Sequence, residues 1–168
     1  MDPAMLRVAI VSDAQPERNG VGTYYRDLAE HLGPAIDRIV FLGPGVGDPS
    51  LPAWLRMPLP GDATQRVEIP SPIGLRHRLQ RLRPHVVVAA TPGPYGLLGA
   101  RCAHALGTRL VVGLHTDFEA LSALYWGEVF GRINRWGMAA VHRRLFRRAH
   151  CVVANSPGML DLARRSGV

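Results

Sequence analysis

The sequence of 168 residues contains no lysine, so its 20 basic side chains are all arginines. It has two cysteines, Cys102 and Cys151, and neither belongs to a C-x-x-C pair. This spacing argues against a zinc ribbon and a disulfide framework, and we expect two buried thiols in a reducing cytosol. No apolar run approaches the roughly 18 residues of a membrane span, and the amino terminus lacks the pattern of a secretory signal. We therefore expect a cytoplasmic protein.

Several motifs of catalysis and cofactor binding are missing as well. The chain has no H-E-x-x-H, Asp-x-Asp, G-x-S-x-G or Walker loop, which disfavours a metal site, a serine hydrolase and a P-loop NTPase. Gly20-x-Gly22 departs from the dinucleotide fingerprint, because Tyr25 stands where a third glycine belongs and a polar loop separates the glycines from the preceding strand. We therefore expect neither NAD nor a bound metal.

The remaining composition is that of a globular domain. Apolar residues make up 47% of the chain, and a chain of this length buries roughly 70% of its unfolded surface. The net charge of +7 favours acidic partners such as phosphates, anionic lipid or nucleic acid. Nucleic acid is the poorer candidate, because the aromatic residues do not interleave with the arginines as a stacking platform requires.

Short apolar segments alternate with helical patterns along the chain. The predicted strands are Leu6–Val11, Arg38–Leu42, Arg66–Ile69, Val86–Ala90, Leu110–Leu114 and Cys151–Ala154. Helices are predicted between them, with two near 120–130 and 133–148 and a last one opened by Ser156 and Pro157, while Gly43–Asp62 is predicted as a long loop. This alternation predicts an α/β domain, a Rossmann-like parallel sheet with helices on both faces.

Ligands of such sheets bind beyond the carboxyl ends of the strands, which selects the loops 12–22, 91–95 and 115–119. Gly20 and Gly22 open a helix whose N–H groups could face a phosphate; an ordinary tight turn is the alternative. His115 follows the fifth strand directly, where a side chain faces the crevice, and a capping or structural histidine is the alternative.

One predicted helix is rich in arginine. Leu75, Leu79 and Leu82 mark its apolar face, and Arg76, Arg78, Arg81 and Arg83 lie off that face. These arginines could contact anionic lipid headgroups. The alternative is a solvated outer face with its leucines in the core.

Three segments in succession resemble one family. They are VSDAQPERNGVGTYYRDLAEHL, TPGPYGLLGARCAHALGTRLVVGLHTDF and RRLFRRAHCVVANSPGMLDLARRSG. They are similar to the amino-terminal half of family-four retaining glycosyltransferases with the GT-B fold, although Asn155-Ser156 stands where that family usually has Pro-Ser. The His-Thr-Asp-Phe segment, with Tyr125 downstream, is most similar to members that glycosylate lipids or lipid-linked acceptors, including α-mannosyl- and α-glucosyltransferases.

The resemblance implies two Rossmann-like domains with the active site between them. Residues 6–168 would be the acceptor-side domain, and the opening segment, residues 1–5, is expected to carry added residues ahead of a native start at Met5. The donor-side domain, which carries a Glu-x₇-Glu motif in the family, would be absent from this chain. We therefore expect the acceptor-binding domain of a nucleotide-sugar-dependent hexosyltransferase that is inactive alone. A non-catalytic α/β binding module on the same scaffold is the alternative.

The resemblance also implies roles for individual residues. Gly20 and Gly22 would lie near the donor diphosphate, and His115 would be the catalytic residue beside the transferred sugar. Weaker crevice candidates are Asp13, Asn19, Thr116 and Asp117. The donor would be a nucleotide sugar such as GDP-mannose or UDP-glucose, with no cofactor or metal. The acceptor would be a lipid or lipid-linked, with Arg76, Arg78, Arg81 and Arg83 facing an anionic membrane and the protein peripheral to its inner face.

Overall fold

A computed structural model describes residues 2–15, 19–44, 51–59, 62–117 and 128–167. The strands are β1 (Arg7–Val11), β2 (Arg38–Leu42), β3 (Ala53–Leu59), β4 (Asp62–Pro70), β5 (Val86–Ala89), β6 (Arg109–Leu114) and β7 (Cys151–Ala154). The helices are α1 (Gly20–Leu32), α2 (Pro72–Leu82), α3 (Pro94–Ala105), α4 (Glu128–Phe146) and α5 (Pro157–Arg165). Among the described residues, no helix combines the length and the apolar character that a membrane crossing needs.

Five strands form one parallel sheet in the order β2-β1-β5-β6-β7. Alternate residues of β1 point to opposite faces of this sheet. Val11 belongs to a core cluster with residues of α2 and α3, whereas Ile10 packs in a second cluster with Tyr25 of α1. The two clusters confirm the predicted Rossmann-like sheet covered on both faces, as in the amino-terminal half of a GT-B fold.

The third predicted strand differs from the prediction. Gly43–Asp62 was expected to be a loop, but it contains β3, which pairs antiparallel with β4 in a separate two-stranded sheet. Residues Arg66–Ile69 are therefore part of a longer strand that stays outside the main sheet. The pairs Leu55↔Ile69 and Met57↔Val67 place apolar residues opposite each other, and the surrounding prolines and glycines obscured this pattern in the sequence.

Further predictions concern the cap of the last helix, the helices before β7 and the two cysteines. Ser156 caps α5 by accepting a hydrogen bond from the N–H of Met159 at 3.3 Å, as predicted. The predicted helix near 120–130 lies largely outside the described residues. The helix predicted over 133–148 is part of α4, which begins earlier, at Glu128, and continues without a break. Cys102 is buried as expected, but Cys151 is exposed. Cys151 begins β7, which is the last strand of the main sheet and has a neighbour on one side only.

The close approach of α3 to β1 depends on Gly99. A Cβ atom at this position would lie 2.9 Å from Cβ and Cγ1 of Val11, which is closer than carbon atoms pack. We expect Gly99→Ala to lower the free energy of unfolding by about 1–2 kcal/mol, because overpacking outweighs the gain in helix propensity. Urea denaturation followed by circular dichroism measures this change.

Gly137→Ala is the matched control, because a Cβ at Gly137 in α4 would meet nothing within 4 Å. It should stabilise the chain by up to about 1 kcal/mol. Equal effects of the two substitutions would contradict the proposed close packing at Gly99.

Candidate functional site

Polar groups that follow β1, β5 and β6 meet at the carboxyl edge of the main sheet. Asp13 lies at the centre of the first two loops. Its Oδ2 accepts hydrogen bonds from the Thr91 hydroxyl at 2.6 Å and from the N–H of Gly96 at 3.2 Å. Its Oδ1 accepts from the N–H of Tyr95 at 2.8 Å, and its own N–H donates to Thr91 Oγ1 at 2.8 Å. One side chain thus joins the loop after β1 to the start of α3.

These hydrogen bonds supply the cap that α3 lacks locally. Its N-cap residue, Gly93, makes no side-chain capping bond, and the distant Asp13 carboxylate takes that role. Glycines permit the approach. A Cβ at Gly93 would lie 2.5 Å from Cγ of Asp13, and one at Gly96 would overlap the carbonyl oxygen of Thr91.

Asp13 was predicted as a crevice residue that contacts the sugar or acceptor. The structure instead engages both of its carboxylate oxygens within the fold. Burial raises the pKa of this carboxyl group, while the hydrogen bonds from Thr91, Tyr95 and Gly96 oppose that rise. Asp13 therefore shapes the crevice and has no oxygen left without a partner.

The amino terminus of α1 offers a different arrangement. Asn19 is its N-cap, and the side-chain oxygen accepts from the N–H of Gly22 at 2.8 Å. Asn19 is thus a capping residue, and the N–H of Gly22 is already occupied. Among the described residues, the N–H groups of Gly20 and Val21 have no hydrogen-bond partner. Gly20 and Val21 are therefore the groups at this helix end that could donate to an anion.

His115 is held at the same edge by α1. Its Nε2 lies 2.8 Å from the hydroxyl oxygen of Tyr25. Its ring also lies 4.9 Å from the ring of Tyr24, centroid to centroid, in a tilted arrangement. Gly113 makes room for the pair, since a Cβ there would overlap the Tyr25 hydroxyl and lie 2.9 Å from His115 Nε2. The imidazole is therefore fixed in place on two sides.

The protonation of His115 follows from this contact. Burial raises the pKa of Tyr25 well above its ordinary value, so the phenol keeps its proton. The hydroxyl is buried and has no acceptor among the described residues other than His115 Nε2. The hydroxyl therefore donates to Nε2, and the neutral imidazole carries its proton on Nδ1. Burial also lowers the pKa of His115, which favours this neutral form at neutral pH.

The remaining crevice candidates differ in their surroundings. Thr116 is half-buried, and its side chain makes no hydrogen bond to a described residue. Asp117 is also half-buried, and its charge favours the protonated form of His142, whose pKa burial lowers. Asn155 was not predicted as a site residue, yet its side-chain nitrogen donates to the carbonyl oxygen of His115 at 3.2 Å. It anchors the backbone on which the histidine stands.

The four predicted membrane-facing arginines have unlike surroundings. Arg76, Arg81 and Arg83 are exposed, whereas Arg78 is half-buried. Arg81 and Arg83 line a cavity at the amino-terminal ends of β1 and β2. Burial raises the pKa of the Cys102 thiol on α3, and the nearby charge of Arg76 partly opposes that rise. A role for these arginines at a membrane stays a prediction.

Sequence reasoning placed His115 correctly at this edge and missed the residues that hold it. Tyr25 is separated from His115 by 90 residues, so no local pattern connects them. Gly113 gave a signal that could have been used, because a glycine inside an apolar strand often marks a close approach of another group. Asn155 gave a weaker one, as a polar residue directly after β7.

The loss of the Asp13 hydrogen bonds should lower the stability of the chain. We expect Asp13→Ala to lower the free energy of unfolding by about 2–4 kcal/mol, because it leaves buried donors without acceptors. Asp13→Asn should cost less, since an amide keeps one acceptor oxygen and carries no charge to bury. Thermal or urea denaturation measures both. Asp161→Ala, at an exposed carboxylate paired with Arg164, is the control, and an equal loss there would contradict the assignment.

The contact between Tyr25 and His115 should be visible in a titration. We expect the His115 imidazole to titrate below 6.5 and Tyr25→Phe to raise the midpoint, because the lost hydrogen bond stabilised the neutral ring. Since the folded pKa is the lower one, the stability from neutral His115 is complete above the unfolded pKa and is lost as the pH falls through the folded pKa. Imidazole NMR shifts report the midpoint.

Tyr24→Phe is the control for that titration, because the Tyr24 ring contacts His115 without a hydrogen bond to it. This variant should leave the midpoint of His115 in place. A midpoint that stays fixed in Tyr25→Phe, or that moves equally in both variants, would contradict the proposed tautomer.

Comparison with known proteins agrees with the geometry. The family model of Glycosyltransferase Family 4 matches residues 18–168, a range that includes α1, His115 and Asn155. No curated protein matches the chain. The matched range covers most of the chain and ends beyond α5, so it contains both the helix terminus and the histidine of the carboxyl edge. The chain therefore belongs to glycosyltransferase family 4.

Proposed function

We propose that this chain is the acceptor-side domain of a retaining hexosyltransferase that uses a nucleotide sugar, such as GDP-mannose or UDP-glucose. Membership of the glycosyltransferase family supports the class of reaction. The observation that carries the proposal is the pairing of a fixed neutral imidazole with an open helix terminus at one edge of the sheet. Both lie beside α1. The Tyr25 hydroxyl of this helix contacts His115, and Gly20 and Val21 form its first turn.

Tyr25, which holds His115, follows soon after the helix terminus. Tyr25 lies five residues after Gly20, which is about 7.5 Å along the axis of α1. A diphosphate at the helix terminus would accept hydrogen bonds from the N–H groups of Gly20 and Val21. The attached sugar would then lie near His115. The positive end of the helix would stabilise the charge that the leaving diphosphate gains during transfer.

His115 would orient the sugar. With Nε2 occupied by Tyr25, the Nδ1–H is the ring group left to donate to a sugar hydroxyl. A hydrogen bond of this kind fixes the pose of the sugar while its anomeric carbon gains positive charge. We do not assign the imidazole as an obligatory base, because in a retaining transfer on one face of the sugar the leaving phosphate can accept the proton of the acceptor hydroxyl.

A donor-binding domain and a lipid acceptor complete the proposal. Sugar transfer needs donor and acceptor held together, so we propose that a donor-binding domain acts beside this one. The acceptor is proposed to be a lipid or a lipid-linked molecule, on the resemblance of the His-Thr-Asp-Phe segment. The exposed Arg76 and the net charge of +7 are compatible with work at an anionic membrane surface.

Removal of the imidazole tests the proposal in the complete enzyme. We expect His115→Ala to lower kcat by about tenfold or more, because one hydrogen bond to the sugar felt in the transition state contributes about 1–3 kcal/mol. The assay follows radiolabelled mannose or glucose from its nucleotide donor into a membrane lipid extract. Circular dichroism and the thermal midpoint establish that the variant is folded.

His31→Ala is the matched control, since His31 is an exposed histidine in the last turn of the same helix, α1. It should leave kcat unchanged. Full activity of His115→Ala, or its loss of folding, would assign His115 a structural role. An absence of sugar transfer by the complete wild-type enzyme would favour the non-catalytic binding module.

A further inference from the structure

A cavity of about 830 Å³ lies at the opposite edge of the main sheet from His115. It is formed where β1 and β2 begin and where α2 ends. Its walls are Arg7, Arg38, His77, Gln80, Arg81, Leu82 and Arg83. The cavity is wide open to solvent, and most of the polar groups that line it are cationic.

The positive charge of this cavity is poorly balanced within the chain. Asp37 pairs with Arg7, with 3.4 Å between Asp37 Oδ2 and Arg7 Nη1. Arg38, Arg81 and Arg83 form no ion pair with any residue that the structure describes. Arg7 and Arg38 are also direct partners in the pairing of β1 with β2, and like charges in that position repel each other. A bound anion would relieve this repulsion.

Arg83 is held in an unfavourable backbone conformation at this cavity. It follows the last turn of α2 with φ of 46°, and it is the one described residue other than glycine with a positive φ. Glycine is the usual residue at such a helix end, since it adopts this conformation without a steric penalty. The sequence has an arginine there instead, directly before Pro84. Strain of this kind is often found where a side chain serves a ligand.

The strained segment also orients Arg7. The Nε of Arg7 donates to the carbonyl oxygen of Arg83 at 3.0 Å, and Nη1 faces Asp37. Two of the three guanidinium nitrogens are thus held by the protein, which fixes the plane of the group. Such fixed guanidinium groups suit the oxygens of a phosphate better than a mobile chain does, because less motion is lost on binding.

We propose that this cavity binds a ligand with two or more adjacent phosphate groups. The four arginines outweigh the one nearby carboxylate, and guanidinium groups from two strands and a helix end surround the same space. The ligand could be a soluble polyphosphate compound or a phosphorylated lipid headgroup, since both present the same chemistry. The site is separate from the proposed sugar-transfer edge, so it does not depend on the proposed function.

Calorimetric titration of the chain with inorganic tripolyphosphate tests the site. We expect saturable binding that weakens as salt is added. Arg83→Gly should raise the dissociation constant by about tenfold or more, because it removes a charge-assisted contact. Its thermal midpoint should stay equal or rise, since glycine suits the conformation and the carbonyl that Arg7 uses remains. Arg38→Gln provides a second variant that leaves the backbone of α2 untouched.

Arg109→Gln is the matched control. Arg109 is exposed and begins β6 at the same edge of the sheet, but it does not line the cavity. The substitution Arg109→Gln removes one positive charge, as Arg83→Gly does. It should leave the dissociation constant of tripolyphosphate within about twofold, because Arg109 makes no direct contact with the proposed ligand. An equal loss in Arg109→Gln, or no saturable binding by the wild-type chain, would overturn the proposal. A lower thermal midpoint in Arg83→Gly would also overturn it, because the arginine would then be structural.

Binding to vesicles distinguishes a lipid headgroup from a soluble compound as the source of the phosphate groups. The wild-type chain is sedimented with phosphatidylcholine vesicles that contain phosphatidylinositol 4,5-bisphosphate, whose headgroup carries two adjacent phosphate groups. Binding that Arg83→Gly abolishes and tripolyphosphate displaces would support the site and assign it to a lipid headgroup. Binding of tripolyphosphate without binding to these vesicles would support it and assign it to a soluble ligand.

Discussion

One half-buried carboxylate, that of Asp13, caps one of the two helices that begin at the carboxyl edge of the sheet. Asp13 accepts hydrogen bonds from the N–H groups of Tyr95 and Gly96. The backbone donors in the first turn of α3 therefore have partners within the protein. In the first turn of α1, the N–H of Gly22 donates to the side-chain oxygen of Asn19. The two helices begin at the same edge with similar glycine-rich segments, yet in α1 the N–H groups of Gly20 and Val21 have no partner among the described residues. This difference makes the surroundings of α1 the candidate centre of the site.

The two edges of the sheet attract anions by different means. At the carboxyl edge the donors are neutral, namely backbone N–H groups and an imidazole whose pKa burial lowers. Such groups can stabilise charge that develops during a reaction without binding every anion strongly. At the amino-terminal edge the donors are guanidinium groups that are charged at any physiological pH. The net charge of +7 therefore says more about the amino-terminal edge than about the carboxyl edge.

The fold could be predicted because the strands of the main sheet are short, apolar and buried, and because helical patterns separate them. β3 was missed and β4 was predicted in part, as the strand Arg66–Ile69, since prolines and glycines surround both strands and their pairing is irregular. Within the site, His115 could be placed from its position after a strand. Tyr25 could not, because the contact depends on how α1 packs against the sheet, which no local spacing encodes. Asp13 was predicted as a candidate crevice residue, but its role as a cap required knowing that α3 begins beside it.

The strand order has a consequence for how the chain folds during synthesis. β1 lies between β2 and β5, and its residue Val8 pairs with Val86 of β5. At usual translation rates, a separation of this length takes on the order of ten seconds to make. During that interval the backbone N–H and C=O groups on the edge of β1 that faces β5 have no partner strand, although β2 can already cover the other edge. Slow synthesis at this stage would therefore lower the yield of folded protein, and a holding chaperone would raise it. We expect both effects to be larger than that of the final stability of the sheet.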